Sequence, residues 1–158
     1  MSHRRSIAAA LGVGLAALTL GPARLHGEQL EPPRERGPYQ VFQVVVHPRN
    51  PLTSVERRFL SQVFLRKTVT WSNGEPIRPV DLPPDTPARR QFTEQIHSRS
   101  VAAVKSYWQQ VIFSGRGLPP PELATDEAVL RFVARTPGAI GYVSGNADVR
   151  GVKVLAVK

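Results

Sequence analysis

Two short stretches of this chain carry residue types able to hold an anion. The first is Asp85-Thr86-Pro87-Ala88-Arg89-Arg90. Thr86 followed by Pro87 fits the N-cap and first position of a helix, because the N–H that proline lacks would be unpaired there anyway. A helix start presents free amides and the positive end of the helix dipole. Thr86 adds a hydroxyl, and Arg89 and Arg90 add guanidinium forks that match phosphate oxygens. Asp85 would accept from a protonated oxygen and repel an unprotonated one, so it sets the sign of the interaction. The second stretch is Ser114-Gly115-Arg116-Gly117. Its glycines let backbone amides converge on an anion, and Arg116 would close the site. Both stretches have a plainer reading: a capped helix start with solvated arginines, and a helix C-cap loop with Gly115 in the left-handed position.

Other chemistry is poorly provided for. The chain has no cysteine, so it has no thiol nucleophile, thiolate ligand or disulfide. His47 and His97 lie far apart in sequence, which argues against a metal site. The phosphate-loop pattern, a GxSxG elbow and an HExxH helix are absent. The acidic residues are scattered, with no pair placed for acid–base work. These features predict no metal, no cofactor and no enzymatic activity. Trp71, Tyr107, Trp108 and Tyr142 read as packing aromatics.

The 158 residues suffice for one ordinary domain. The first 27 read as a secretory signal peptide. His3-Arg4-Arg5 is a basic start, Ile7 to Leu20 an apolar run, and Gly21-Pro22-Ala23 and Gly27 offer small residues for cleavage. The run is shorter than the roughly 18 to 20 residues that span a bilayer. Arg4-Arg5 also raises a twin-arginine export route. The expected mature protein is periplasmic or secreted, without stable membrane insertion. Residues 28–40, rich in Pro, Arg and Glu, read as a flexible leader. Loss of Arg4, Arg5 and Arg24 leaves 18 basic against 12 acidic residues, a balance of +6. That balance favours anionic partners; an exported chain meets little nucleic acid, so none is expected as a partner.

The anion-holding residues must be positioned by the elements around them. Val41–His47, Ile77–Leu82, Ala139–Ser144 and Val152–Val157 read as strands. Helices are expected after Thr53 or Ser54, after Thr86, after Ser98 or Ser100, and after Thr125. The order is β-α-β-α-α-α-β-β, which points to one α/β domain over residues 41–158. The first three strands should share a sheet. Phe59, Val63, Phe92, Val104, Trp108, Val129 and Phe132 should be buried against it.

Three stretches, in order, carry a resemblance. They are Val63-Phe64-Leu65-Arg66-Lys67 with Trp71 and Gly74-Glu75-Pro76-Ile77; Phe92 after the Asp85–Arg89 helix start; and Pro137-Gly138-Ala139-Ile140-Gly141-Tyr142-Val143-Ser144. Over about Val41 to Val157 the chain resembles the substrate-binding proteins of phosphate ABC transporters. The resemblance implies a single lobe of a type 2 periplasmic-binding-protein fold, a mixed sheet flanked by helices. The family has two lobes that clamp phosphate between them; this chain matches the lobe inserted in the middle. A Ser-Gly-Thr run supplies phosphate ligands in the family, and the matching place here reads Asp85-Thr86-Pro87-Ala88-Arg89. The implied ligand is phosphate or another oxyanion; with the two stretches read above, the candidate anion-holding residues are Asp85, Thr86, Arg89, Arg90 and Arg116. The implied partner is a transporter or a second protein that supplies the missing lobe. The alternative is a non-transport interaction or scaffold module of the cell envelope that has lost ligand binding.

Overall fold

The computed structural model describes residues 41–158, and the expected signal peptide and leader lie outside them. Nine elements follow in order: β1 Phe42–Val46, β2 Ser54–Val55, α1 Arg57–Phe64, β3 Arg78–Pro79, α2 Pro87–His97, α3 Val101–Phe113, α4 Asp126–Arg135, β4 Ala139–Ser144 and β5 Lys153–Val157. The strands form one sheet in the order β2-β5-β1-β4-β3. β1 runs antiparallel to β4 and β5, while β2 pairs β5 and β3 pairs β4 in parallel. The result is a mixed sheet flanked by helices, as the sequence predicts.

The central strands are apolar because both faces of the sheet are covered. β4 reads Ala139-Ile140-Gly141-Tyr142-Val143, all buried. Successive side chains on a strand point to opposite faces. A Cβ at Gly141 would meet Val129 and Val133, so that face lies under α4. Tyr142 points the other way, onto Phe92 of α2, with Phe42 and Phe64 beside it. A second, smaller apolar cluster joins Leu65 to Val104, Trp108 and Val111 of α3, with Tyr107 against it.

Three expected N-caps form: Thr86, Ser100 and Thr125 each accept an amide of their own helix's first turn. Ser98 instead ends α2, in the left-handed conformation. Neither Thr53 nor Ser54 caps α1. Ser54 and Val55 pair with Ala156 and Val157, and Glu56 takes the N-cap position without a side-chain bond. The Arg57 amide donates instead to the carbonyl of Lys158 at 2.9 Å, an acceptor distant in sequence.

The expected strand Ile77–Leu82 is cut to Arg78–Pro79 at the sheet edge. Pro79 has no N–H for a ladder, which suits an edge position. Val80 N–H still reaches Ile140 O at 3.0 Å, but Asp81 then leaves the sheet, donating its N–H to Pro121 O and accepting from Leu123 N–H. Val63, Phe92 and Val129 are buried against the sheet as expected. Val104 and Trp108 are buried too, but in the separate cluster with Leu65 and Val111 rather than against the sheet, and Phe59 and Phe132 are half-buried at the margin of the core. Phe59 lies there against Trp71, with ring centroids 5.9 Å apart.

Candidate functional site

The start of α2 is built from its own sequence. Thr86 Oγ1 donates to Pro83 O at 2.9 Å and accepts from Arg89 N–H at 3.3 Å. Arg90 N–H donates to Thr86 O at 3.1 Å. Pro87 supplies no N–H. The cap is therefore well closed, and few first-turn amides remain for a ligand. Asp85 is exposed, and Arg90 Nη1 donates to its backbone carbonyl at 2.7 Å.

Arg89 has a different role from Arg90. It is only 7% exposed, forms an ion pair with Asp81, and donates from Nη1 to Leu82 O at 3.2 Å. Asp81, also 7% exposed, accepts from Leu82 N–H at 3.0 Å and from the Tyr142 hydroxyl. The carboxylate thus gathers a guanidinium, a phenol and an amide. Burial pushes the Asp81 carboxyl above the usual carboxylate range, against the pull of Arg89, Tyr142 and the Leu82 amide. Burial and then the Asp81 charge push Tyr142 well above the ordinary phenol value, so it stays a donor. A buried ion pair holds only when its remaining hydrogen-bonding capacity is met. Here Tyr142 and Leu82 meet it.

Asp81 and Tyr142 escape a reading based on local motifs. The one sequence signal is a carboxylate set between Val80 and Leu82 in an otherwise apolar run, which demands a buried partner. That partner, Arg89, follows eight residues later; Tyr142 comes from β4, 61 residues away.

The glycine loop after α3 is held by the helix end. Ser114, Gly115 and Arg116 donate their amides to Gln110 O, Ile112 O and Val111 O. Gly115 has φ +67, the left-handed region that this kind of helix termination requires. Arg116 Nε donates to Ser114 Oγ at 2.8 Å, with the side chain on the surface. The loop continues through Pro119 and Pro120 to the wall of a cleft of about 380 Å³. Pro84 and Arg89 lie on the same cleft. The fold thereby brings the α2 start and the end of the glycine loop to one opening, while Arg116 itself stands outside the lining. Lys105 and Glu122, which the motif reading passes over, also line it.

Among the described residues, no group of three or more His, Asp or Glu residues is placed to hold a metal ion, and no helix is long and apolar enough to cross a membrane.

The sequence matches no family model and no curated protein. Solved structures do share the fold. One is an ABC-type phosphate transport receptor from Vibrio cholerae, at TM-score 0.57 and 17% identity, covering 73% of this chain and 45% of the receptor. A second is a putative phosphate ABC transporter substrate-binding protein with bound phosphate from Clostridium perfringens, at TM-score 0.54 and 17% identity, covering 73% of this chain and 44% of that one. A third is a possible phosphate binding protein from Planctomyces limnophilus, at TM-score 0.56 and 17% identity, covering 74% and 41%. The chain therefore spans less than half the length of these structures, and its fold matches a fragment of a periplasmic-binding-protein fold.

Proposed function

We propose that this chain is an exported oxyanion-binding lobe that works with a transporter, or with a second protein supplying the opposing surface. The observation that supports this reading is the fold likeness: nearly three quarters of the chain overlays on less than half of receptors described as phosphate-binding, one of them holding phosphate. The excess of basic residues points the same way. The neighbours are described as receptors and binding proteins, and no catalytic role is proposed.

The proposed contact site is the surface at the α2 start. Arg90 offers an exposed guanidinium there, Thr86 and the helix dipole add to the field, and Arg116 is exposed on the glycine loop. Arg89 lies below with its fork on Asp81, so its charge is met internally. Asp85 accepts from a protonated phosphate oxygen and repels sulfate. A single lobe leaves much of the ligand in water, where each contact is screened. The expected affinity is about millimolar at best.

Titration of the full chain with phosphate and with sulfate, followed by amide chemical shifts, tests the reading. Saturable shifts at residues 85–90 with phosphate, weakened in Arg90→Ala, support it. Arg90 suits this test better than Arg89, whose removal strands a buried carboxylate. No shift at tens of millimolar phosphate would favour the second reading, an envelope interaction module without a ligand. One observation already favours that module: Thr86 and Arg89 are both satisfied internally.

A further inference from the structure

The cleft beside the α2 start carries chemistry that the oxyanion reading does not use. Its volume of about 380 Å³ falls within the usual range for small-molecule sites. Trp108 and Ile112 of α3 and the prolines Pro84 and Pro120 give it apolar walls. Four charged residues also line it. Asp81 and Arg89 are spent on each other at its buried base. Lys105 and Glu122 are exposed, and among the described residues neither has an ion-pair partner.

The formal charges on this lining cancel. A bare oxyanion drawn to Lys105 is repelled by Glu122, and a simple amine meets the reverse. A wholly apolar ligand leaves both charges without a counterpart. A ligand with an anion at one end of its polar part and an ammonium at the other satisfies both. An apolar body on such a ligand also displaces water from Ile112 and the exposed prolines Pro84 and Pro119, with only the small open edge of Trp108 beneath it. The area removed from water is the larger source of affinity, because exposed ion pairs contribute little.

We propose that this cleft binds a small amphipathic zwitterion, its anionic group on Lys105, its ammonium on Glu122 and its apolar body against Trp108 and Ile112. The groups that hold the ligand, Lys105, Glu122, Trp108 and Ile112, are not those of the proposed oxyanion surface, although Arg89 lies under both. A blank phosphate titration at residues 85–90 leaves it standing, and its own failure leaves the oxyanion reading standing.

The test uses the full chain and L-phenylalanine as the probe, read by amide and indole N–H chemical shifts. Phenylacetate and phenethylamine carry the same ring with one charge each, and glycine carries both charges without the ring. The expected result is saturable shifts at Lys105, Trp108, Ile112 and Glu122 with L-phenylalanine, and weaker binding of all three controls. Lys105→Met and Glu122→Gln should each weaken L-phenylalanine binding about fivefold, the upper range for an exposed ion pair. Both side chains are exposed, so both variants should keep the wild-type spectrum elsewhere. Absence of saturable shifts at 10 mM probe, on the order of the weakest specific binding, would overturn the proposal. So would equal binding of phenylacetate, or unchanged affinity in both variants.

Discussion

The rings of Phe92 and Tyr142 lie face to face, with centroids 3.9 Å apart and planes 5° from parallel. The stack joins α2 to β4, and both side chains are fully buried. Phe92 also meets Phe64 at 4.7 Å and Phe42 at 5.4 Å, so one ring ties together two helices and two strands. Phe92→Ala should lower unfolding free energy by about 3 to 5 kcal/mol, since the cavity is walled by rigid rings that cannot collapse into it. Urea denaturation of the purified variant measures this. A loss below about 1 kcal/mol would mean that the ring is not part of the core.

The same tyrosine donates to Asp81, which is paired with Arg89. Removing one member of this pair leaves a buried charge. Asp81→Asn and Arg89→Met should each cost about 3 to 5 kcal/mol, and the double variant should cost less than the two added together. Tyr142→Phe keeps the ring stack but deletes a donor, for a loss of about 1 to 3 kcal/mol. Additive single and double variants in denaturant unfolding would show that the pair is not coupled.

His97 sits at the end of α2, against Phe92, with Nδ1 2.9 Å from Ser61 Oγ. Burial, helped by the positive charges of Arg89 and Arg99, lowers its pKa from 6.5 to about 4. The folded state therefore resists protonation that the unfolded state accepts. This contribution is fully present above pH 6.5 and is lost as pH falls from there to about 4. Its full size is about 3 kcal/mol. Stability of the wild type should fall faster than that of His97→Gln between pH 7 and 5. Parallel curves, or a ring titration near 6.5 by NMR, would contradict this.

The two glycines around β4 differ in kind. Gly138 has φ +74, and a Cβ there would strike the carbonyl oxygen of Pro76. Backbone cannot yield cheaply, so Gly138→Ala combines strain with a clash and should cost more than about 2 kcal/mol. Gly141 has ordinary φ, and its Cβ would meet the Val129 and Val80 methyls at 2.8 and 3.0 Å. Gly141→Ala overpacks the α4 face and should cost about 1 to 3 kcal/mol. Thermal unfolding of both variants gives the comparison; a neutral Gly138→Ala is the outcome that would break the argument.

Export is tested by the N-terminus. The basic start, apolar run and small residues near Ala23 and Gly27 predict loss of about 23 to 27 residues from the protein recovered outside the cytoplasm. Mass spectrometry of that protein reads the new terminus directly. An intact Met1 in the membrane fraction would reverse the expectation.

Much of the architecture was legible in the residues. Thr86-Pro87, Ser100 and Thr125 mark helix starts because a capping hydroxyl and a following turn lie within three residues of each other. β4 spans Ala139–Ser144 as its apolar run predicts. Local chemistry decides these features, so local sequence reveals them. Tertiary contact decided the rest. Ser54-Val55 became a strand because β5 lies beside it, although its residues suit a helix cap. Asp81 left the sheet because Pro121 and Leu123 offered its backbone another ladder. Arg89, placed by motif in an anion site, turned inward because a carboxylate and a phenol from two other segments met it there. The Lys105–Glu122 cleft has no motif at all. Its residues come from a helix and a loop, and only the packing of α3 beside the start of α2 sets their charges around one opening.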